Sequence, residues 1–204
     1  MAFGKHPSQK LQDLFSQKPF QLQEPEKAQI LFLGLDANFD ENIESDSMFN
    51  EFVTYLKDGV GYWKKEGFHT PMLKDYYKGA GKRYHKQFTK LAFTSKDAEN
   101  ICFLELLNVC TYGNSTDMNG KTEFERLLLS ETNRPHLERI KRIAKDKNKV
   151  MGTSKNSLSE SFSRFLRVVS RYNSATYNIA FSKLPLKTEV FRGSLIYIYA
   201  EEKH

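Results

Sequence analysis

The chain has 204 residues, with 31 Lys and Arg against 25 Asp and Glu for a formal charge of +6; it contains neither an apolar run of spanning length nor a signal-like start, which argues against a membrane span and a secretory leader. Its two cysteines, Cys102 and Cys110, match no zinc spacing or disulfide framework and are too few for an iron–sulfur cluster. One intracellular, cytoplasmic domain over residues 1–204 is expected, monomeric and without membrane contact, with both cysteines as small buried side chains.

In chain order, residues 1–28 read as a helical lead-in with a short helix at 9–15. Four apolar runs then read as buried strands: "QILFLG" from Gln29, "NICFLELL" from Asn100, "NKVMGTS" from Asn148 and "SLIYIYA" from Ser194. Between them, helical spacing recurs in Met48, Phe49, Phe52, Val53 and Leu56, in Tyr84, Phe88 and Leu91, and in Leu158, Phe162, Phe165, Leu166 and Val169. "YNIAFSK" from Tyr177 reads as a further short strand. Strands alternating with helices predict an α/β fold, a three-layer α/β/α sandwich around a mainly parallel four-stranded sheet. Ligands of such sheets sit beyond the carboxyl ends of the strands, which points to "GLDANF", "NVCTYGNST", "GTSKNS" and "EEKH".

The positive charge is unevenly spread. Lys64, Lys65, Lys74, Lys78, Lys82, Arg83, Lys86 and Lys90 interleave with Tyr62, Trp63, Tyr76, Tyr77, Tyr84 and Phe88, a mixture that meets phosphates with charge and bases with rings. A second basic run, "RPHLERIKRIAKDKNK", reads as a solvated helix face.

The polar exit of the first strand has three readings. As a calcium loop, Asp36, Asn38 and Asp40 fit, but Glu41 stands where the turn needs glycine and Ser47 where a bidentate carboxylate must close the site. As the nucleophile of a haloacid-dehalogenase-like phosphatase, a magnesium-dependent alternative, Asp36 would be followed by Asn38 in the place of the acid–base Asp, by Thr153 and Ser154, and by Glu201 and Glu202 as metal ligands. Asn38 cannot carry a proton as that Asp does.

The third reading rests on more of the chain. "FLGLDANF" resembles the first motif of the uracil-DNA glycosylase superfamily, "ELLNVCTYG" its second-strand segment and "LIYIYAEEKH" the approach to its last motif. "GVGYWKKEGFHTP" followed by "YHKQF" is similar to a poorly characterised branch of it. The resemblance implies a DNA-repair hydrolase that excises a base without metal or organic cofactor. Asp36 would position the attacking water and stabilise the cationic sugar, Asn108 would read the flipped base, and His204 would support the leaving anion. Leu35, Phe68, His69 and Tyr112 are the further base-binding candidates, and Lys82, Arg83 and Lys86 the DNA contacts. The family's usual Pro is Ala37 here, and "HPS" at residues 6–8 lies before the first strand and cannot supply the last motif. With no residue after His204 to wedge a duplex, single-stranded or mismatched DNA is the expected substrate. A non-catalytic nucleic-acid-binding member of the same fold is the other alternative.

Overall fold

The computed structural model describes residues 2–79, 81–91, 93–115, 118–146, 148–154 and 195–198. The strands and helices in chain order are β1 (Gly4–Lys5), α1 (Gln9–Gln17), β2 (Phe20–Leu22), β3 (Ile30–Gly34), β4 (Ala37–Asn38), α2 (Phe49–Lys57), α3 (Gly59–Glu66), α4 (Lys82–Phe88), β5 (Ile101–Glu105), β6 (Cys110–Tyr112), α5 (Met118–Leu128), α6 (Arg134–Ala144), β7 (Val150–Ser154) and β8 (Leu195–Ile198). Helix ends follow local chemistry. The Ser8 hydroxyl caps α1 by accepting from the Leu11 amide, and Asp58 caps α3 through the Gly61 amide. Gly67, at φ +76°, ends α3 in the left-handed conformation that glycine adopts most readily.

All four apolar runs contain strands, and the fold is α/β. The expected four-stranded, mainly parallel sheet is corrected to a five-stranded one in the order β2–β5–β3–β7–β8. Its centre is parallel, with Leu31 opposite Cys102 on one side and Met151 on the other. Both edges are antiparallel: β2 against β5, and β8 against β7. The lead-in is therefore not purely helical, since it supplies the edge strand β2 and also β1. A second sheet, β1–β6–β4, stands beyond the carboxyl end of β3.

The direction of β8 matters most for the site. Leu195 pairs with Ser154 and Ile198 with Met151, so β8 exits at the end of the sheet where β7 begins, opposite to Gly34 and Glu105. An apolar strand reads the same in either direction, and only its pairing fixes which end it presents. His204 lies outside the described residues, as do Glu201, Glu202, "YNIAFSK" and the stripe from Leu158 to Val169.

Strand alternation divides the core. Phe32, Ile101 and Phe103 face one cluster with side chains of α1 to α4, while Leu31, Leu33, Cys102 and Leu104 face another with Phe124, Leu127 and Ile140 of α5 and α6. Both cysteines are buried and free, as expected. Phe103 centres an aromatic group in which Phe88, His85, Phe32 and His69 lie with ring centroids 4.9, 5.1, 5.4 and 5.5 Å away. Among the described residues no helix is long and apolar enough to cross a membrane.

Candidate functional site

The chain leaves β3 through Leu35 and Asp36 and at once joins the small sheet, where Ala37 pairs with Cys110 and Asn38 with Thr111. This detour holds Asp36 at the carboxyl end of the parallel strands. Thr111 Oγ1 donates to Asp36 Oδ2, and so does Asn38 Nδ2 at 3.2 Å; Asn38 is itself held by the Gly113 carbonyl at 3.0 Å. Gly113 has φ +80°, and a Cβ there would stand 2.2 Å from the Ala2 carbonyl oxygen, so the support for Asn38 depends on a glycine.

Asp36 borders a cavity of about 160 Å³, less than the ~300–1,000 Å³ typical of drug-sized ligands and suited to a group of one ring. Gly34, Leu35, Ala37, Asn38 and Phe39 form one wall; Gln21, Met72, Gly81, Tyr84, His85 and Glu105 complete it. Glu105, the last residue of β5, is the second carboxyl of the cavity. A Cβ on Gly34 would lie 2.0 Å from Glu105 Oε2, so the neighbouring strand leaves the carboxyl its space by carrying no side chain there.

The two carboxyls differ electrostatically. Burial pushes Glu105 up to about 8, reinforced by the negative charge of Asp36. Burial also raises Asp36, but its bonds from Thr111 and Asn38 favour the anion and oppose the shift. Asp36 thus has bonds that favour its anion, while Glu105 keeps its proton at neutral pH.

The remaining polar groups come from β2 and α4. Gln21 is buried, and its Oε1 accepts from the Tyr55 hydroxyl at 2.7 Å. Tyr84 has a buried hydroxyl without a hydrogen-bond partner among the described residues. His85 bonds through Nδ1 to His69 Nε2 at 3.0 Å, and burial lowers it to about 3, so its ring is neutral.

The residues expected from sequence separate into two groups. Asp36 and Leu35 border the cavity; Asn108 does not. The Asn108 amide donates to the Thr132 carbonyl at 2.9 Å, and its backbone N–H donates to Asn133 Oδ1 at 2.9 Å; it braces the turn before α6. His69 is buried behind the cavity, stacked on Phe103 and bonded to His85. Phe68 is 45% exposed, and Tyr112 packs edge-on against His6; neither borders the cavity. Arg83 and Lys86 are exposed on α4, the helix that also supplies Tyr84 and His85. Lys82 is committed elsewhere, donating to the carbonyls of Lys74 and Tyr77 at 2.8 and 2.9 Å. Sequence reasoning passed over Glu105, Gln21 and His85 as site residues, and counted Tyr84 only among the rings of the basic region and in a core stripe. Glu105 left a signal, a lone acid inside the apolar run "ICFLELL".

Among the described residues no group of three or more His, Cys, Asp or Glu side chains is arranged to hold a metal ion. Comparison of the chain with protein-family models, with curated proteins and with solved structures finds no match in any of the three.

Proposed function

We propose that the chain is a hydrolase that releases a base from DNA by cleaving its N-glycosidic bond, as its resemblance to uracil-DNA glycosylases implies. The observation that carries this reading is the Asp36 carboxyl, held by two side-chain bonds that favour its anion in a one-ring cavity at the carboxyl ends of the parallel strands. A base entering the cavity would bring its sugar toward Asp36. The carboxylate then orients a water and stabilises the positive charge that develops on the sugar, an electrostatic task that needs a preorganised group rather than a cofactor. Arg83 and Lys86, exposed on the helix that lines the cavity, are placed to meet phosphates beside it. The base-reading role assigned to Asn108 moves to residues inside the cavity.

The phosphatase alternative asks Asn38 to stand in for an acid–base carboxylate, yet its amide is spent on Asp36 and Gly113. The experiment that separates the readings is a panel of end-labelled oligonucleotides bearing uracil and other altered bases, single-stranded, mismatched and paired, incubated in excess chelator and then cleaved with alkali. Strand breaks at the altered base support base excision. Binding without breaks supports the non-catalytic alternative, and chelator-sensitive phosphate release supports the phosphatase.

A further inference from the structure

The floor of the cavity carries more hydrogen-bonding capacity than the protein itself uses. Tyr84 borders the cavity, and its buried hydroxyl has no partner among the described residues; buried hydroxyls are seldom left so. No hydrogen bond contributes to the Glu105 shift, which is set by burial and the Asp36 charge alone. Gln21 is oriented by a directional chain: the Met72 amide donates to Thr70 Oγ1, Thr70 bonds the Tyr55 oxygen, and the Tyr55 hydroxyl donates to Gln21 Oε1. With its oxygen taken, Gln21 has its NH2 group left to offer the cavity.

Building on the base-excision reading, we propose that Glu105, Tyr84 and Gln21 are the specificity-determining residues of this cavity, holding a one-ring heterocycle that presents a donor and an acceptor side by side and a further carbonyl, the pattern of an oxopyrimidine base. A neutral carboxyl pairs with such an edge through two bonds, its O–H donating and its C=O accepting. Tyr84 and Gln21 then donate to the remaining carbonyl. Because either carboxyl oxygen can carry the proton, Glu105 serves the N–H and C=O edge of uracil and the ring nitrogen and amino edge of cytosine equally. An ionised Glu105 has no proton to donate, so ring binding ends as it titrates. The titratable groups around it are Asp36 from the β3 exit, Tyr55 from α2, Tyr84 and His85 from α4, Cys110 from β6 and Cys102 from β5; His136 of α6 bonds its backbone carbonyl at 2.8 Å.

The test is NMR titration of the full chain with free uracil, cytosine and pyridine at pH 7 and pH 9, following the signals of Gly34 and Tyr84. Uracil and cytosine should bind within about threefold of each other, and pyridine, which lacks the carbonyl, at least ~10-fold more weakly. Binding should weaken about tenfold from pH 7 to pH 9 as the protonated fraction falls. Glu105→Gln, which keeps a donor and an acceptor, should bind both bases without that step, while Glu105→Leu and Tyr84→Phe should each weaken binding at least ~10-fold. Signals unmoved by any ring, a cavity holding water only, would overturn the proposal, as would an unchanged pH step in Glu105→Gln or unchanged affinity in Tyr84→Phe. Rings that bind as described while no oligonucleotide loses a base would leave this assignment standing and sink base excision. Base release with no effect of Glu105 or Tyr84 substitution on ring binding would do the reverse.

Discussion

The two central strands end differently, and the difference shapes the cavity between them. β3 passes into the small sheet, which turns Asp36 into the cavity and fastens it with Thr111 and Asn38. β5 delivers its last strand residue, Glu105, to the same cavity and then swings away: Asn133 accepts from the Asn108 backbone N–H and donates to the Leu106 and Leu128 carbonyls, while His136 bonds the Glu105 carbonyl. The polar loop after β5 is thus bracing, and the acid inside the apolar strand borders the cavity. Polarity at a strand end marks a site only where the residue has not been spent on holding the loop.

The sharpest way to break this comparison is Asp36→Asn. The amide keeps the shape but not the charge, so single-turnover base release should fall at least ~10²-fold while DNA affinity stays within about threefold. Rates of mutant and parent agreeing within a factor of two would make Asp36 a structural residue. Replacing Arg83 and Lys86 together by Ala should lower the slope of log K against log salt by about 1.4–1.8 units, the sum for two lost phosphate contacts. Lys82→Ala, which removes a group already bonded to carbonyls, should leave that slope unchanged and lower the melting temperature instead.

A third comparison concerns stability against pH. In the folded protein Glu105 keeps its proton to about 8, whereas the unfolded chain releases it near the ordinary value of 4.5. Between those limits the folded state holds the extra proton, so stability is greatest below the lower value and falls as pH rises, by ~1.4 kcal/mol per unit for one full proton. Denaturant unfolding at pH 5 and pH 8 should therefore show Glu105→Gln gaining on the parent as pH rises. Asp36, also raised by burial, adds a slope of the same sign that the mutant retains. Parallel pH profiles for mutant and parent would mean that Glu105 titrates normally. The smallest effect belongs to Asn108→Ala, which removes an exposed bond to the Thr132 carbonyl. It should cost ~0.5–1.5 kcal/mol of stability and leave base release within about twofold of the parent. A hundredfold loss of base release would return the reading role to Asn108.

Much of the fold was legible in the sequence because burial writes itself as periodicity. The runs at 29–34, 100–107, 148–154 and 194–200 all contain strands, and the stripe through Phe49, Phe52, Val53 and Leu56 packs into the core from α2. Asp36 was legible for the same reason, as the first polar side chain past a buried strand. The edge strand β2 was not, since its three residues are too few for a period to emerge and its pairing with β5 joins residues as distant in sequence as Leu22 and Cys102. The direction of β8 was equally hidden, because hydrophobic alternation has no sense of polarity along the chain. The sequence by itself determined which segments would be buried and which acid would end the first strand. Only the tertiary structure decided that Glu105 lies over Gly34 in the same cavity as Asp36, and that Asn108 is bound to Thr132. The physical reason is that burial depends on a residue's own chemistry and near neighbours, whereas a hydrogen-bond partner or a shared cavity depends on segments that only folding brings together.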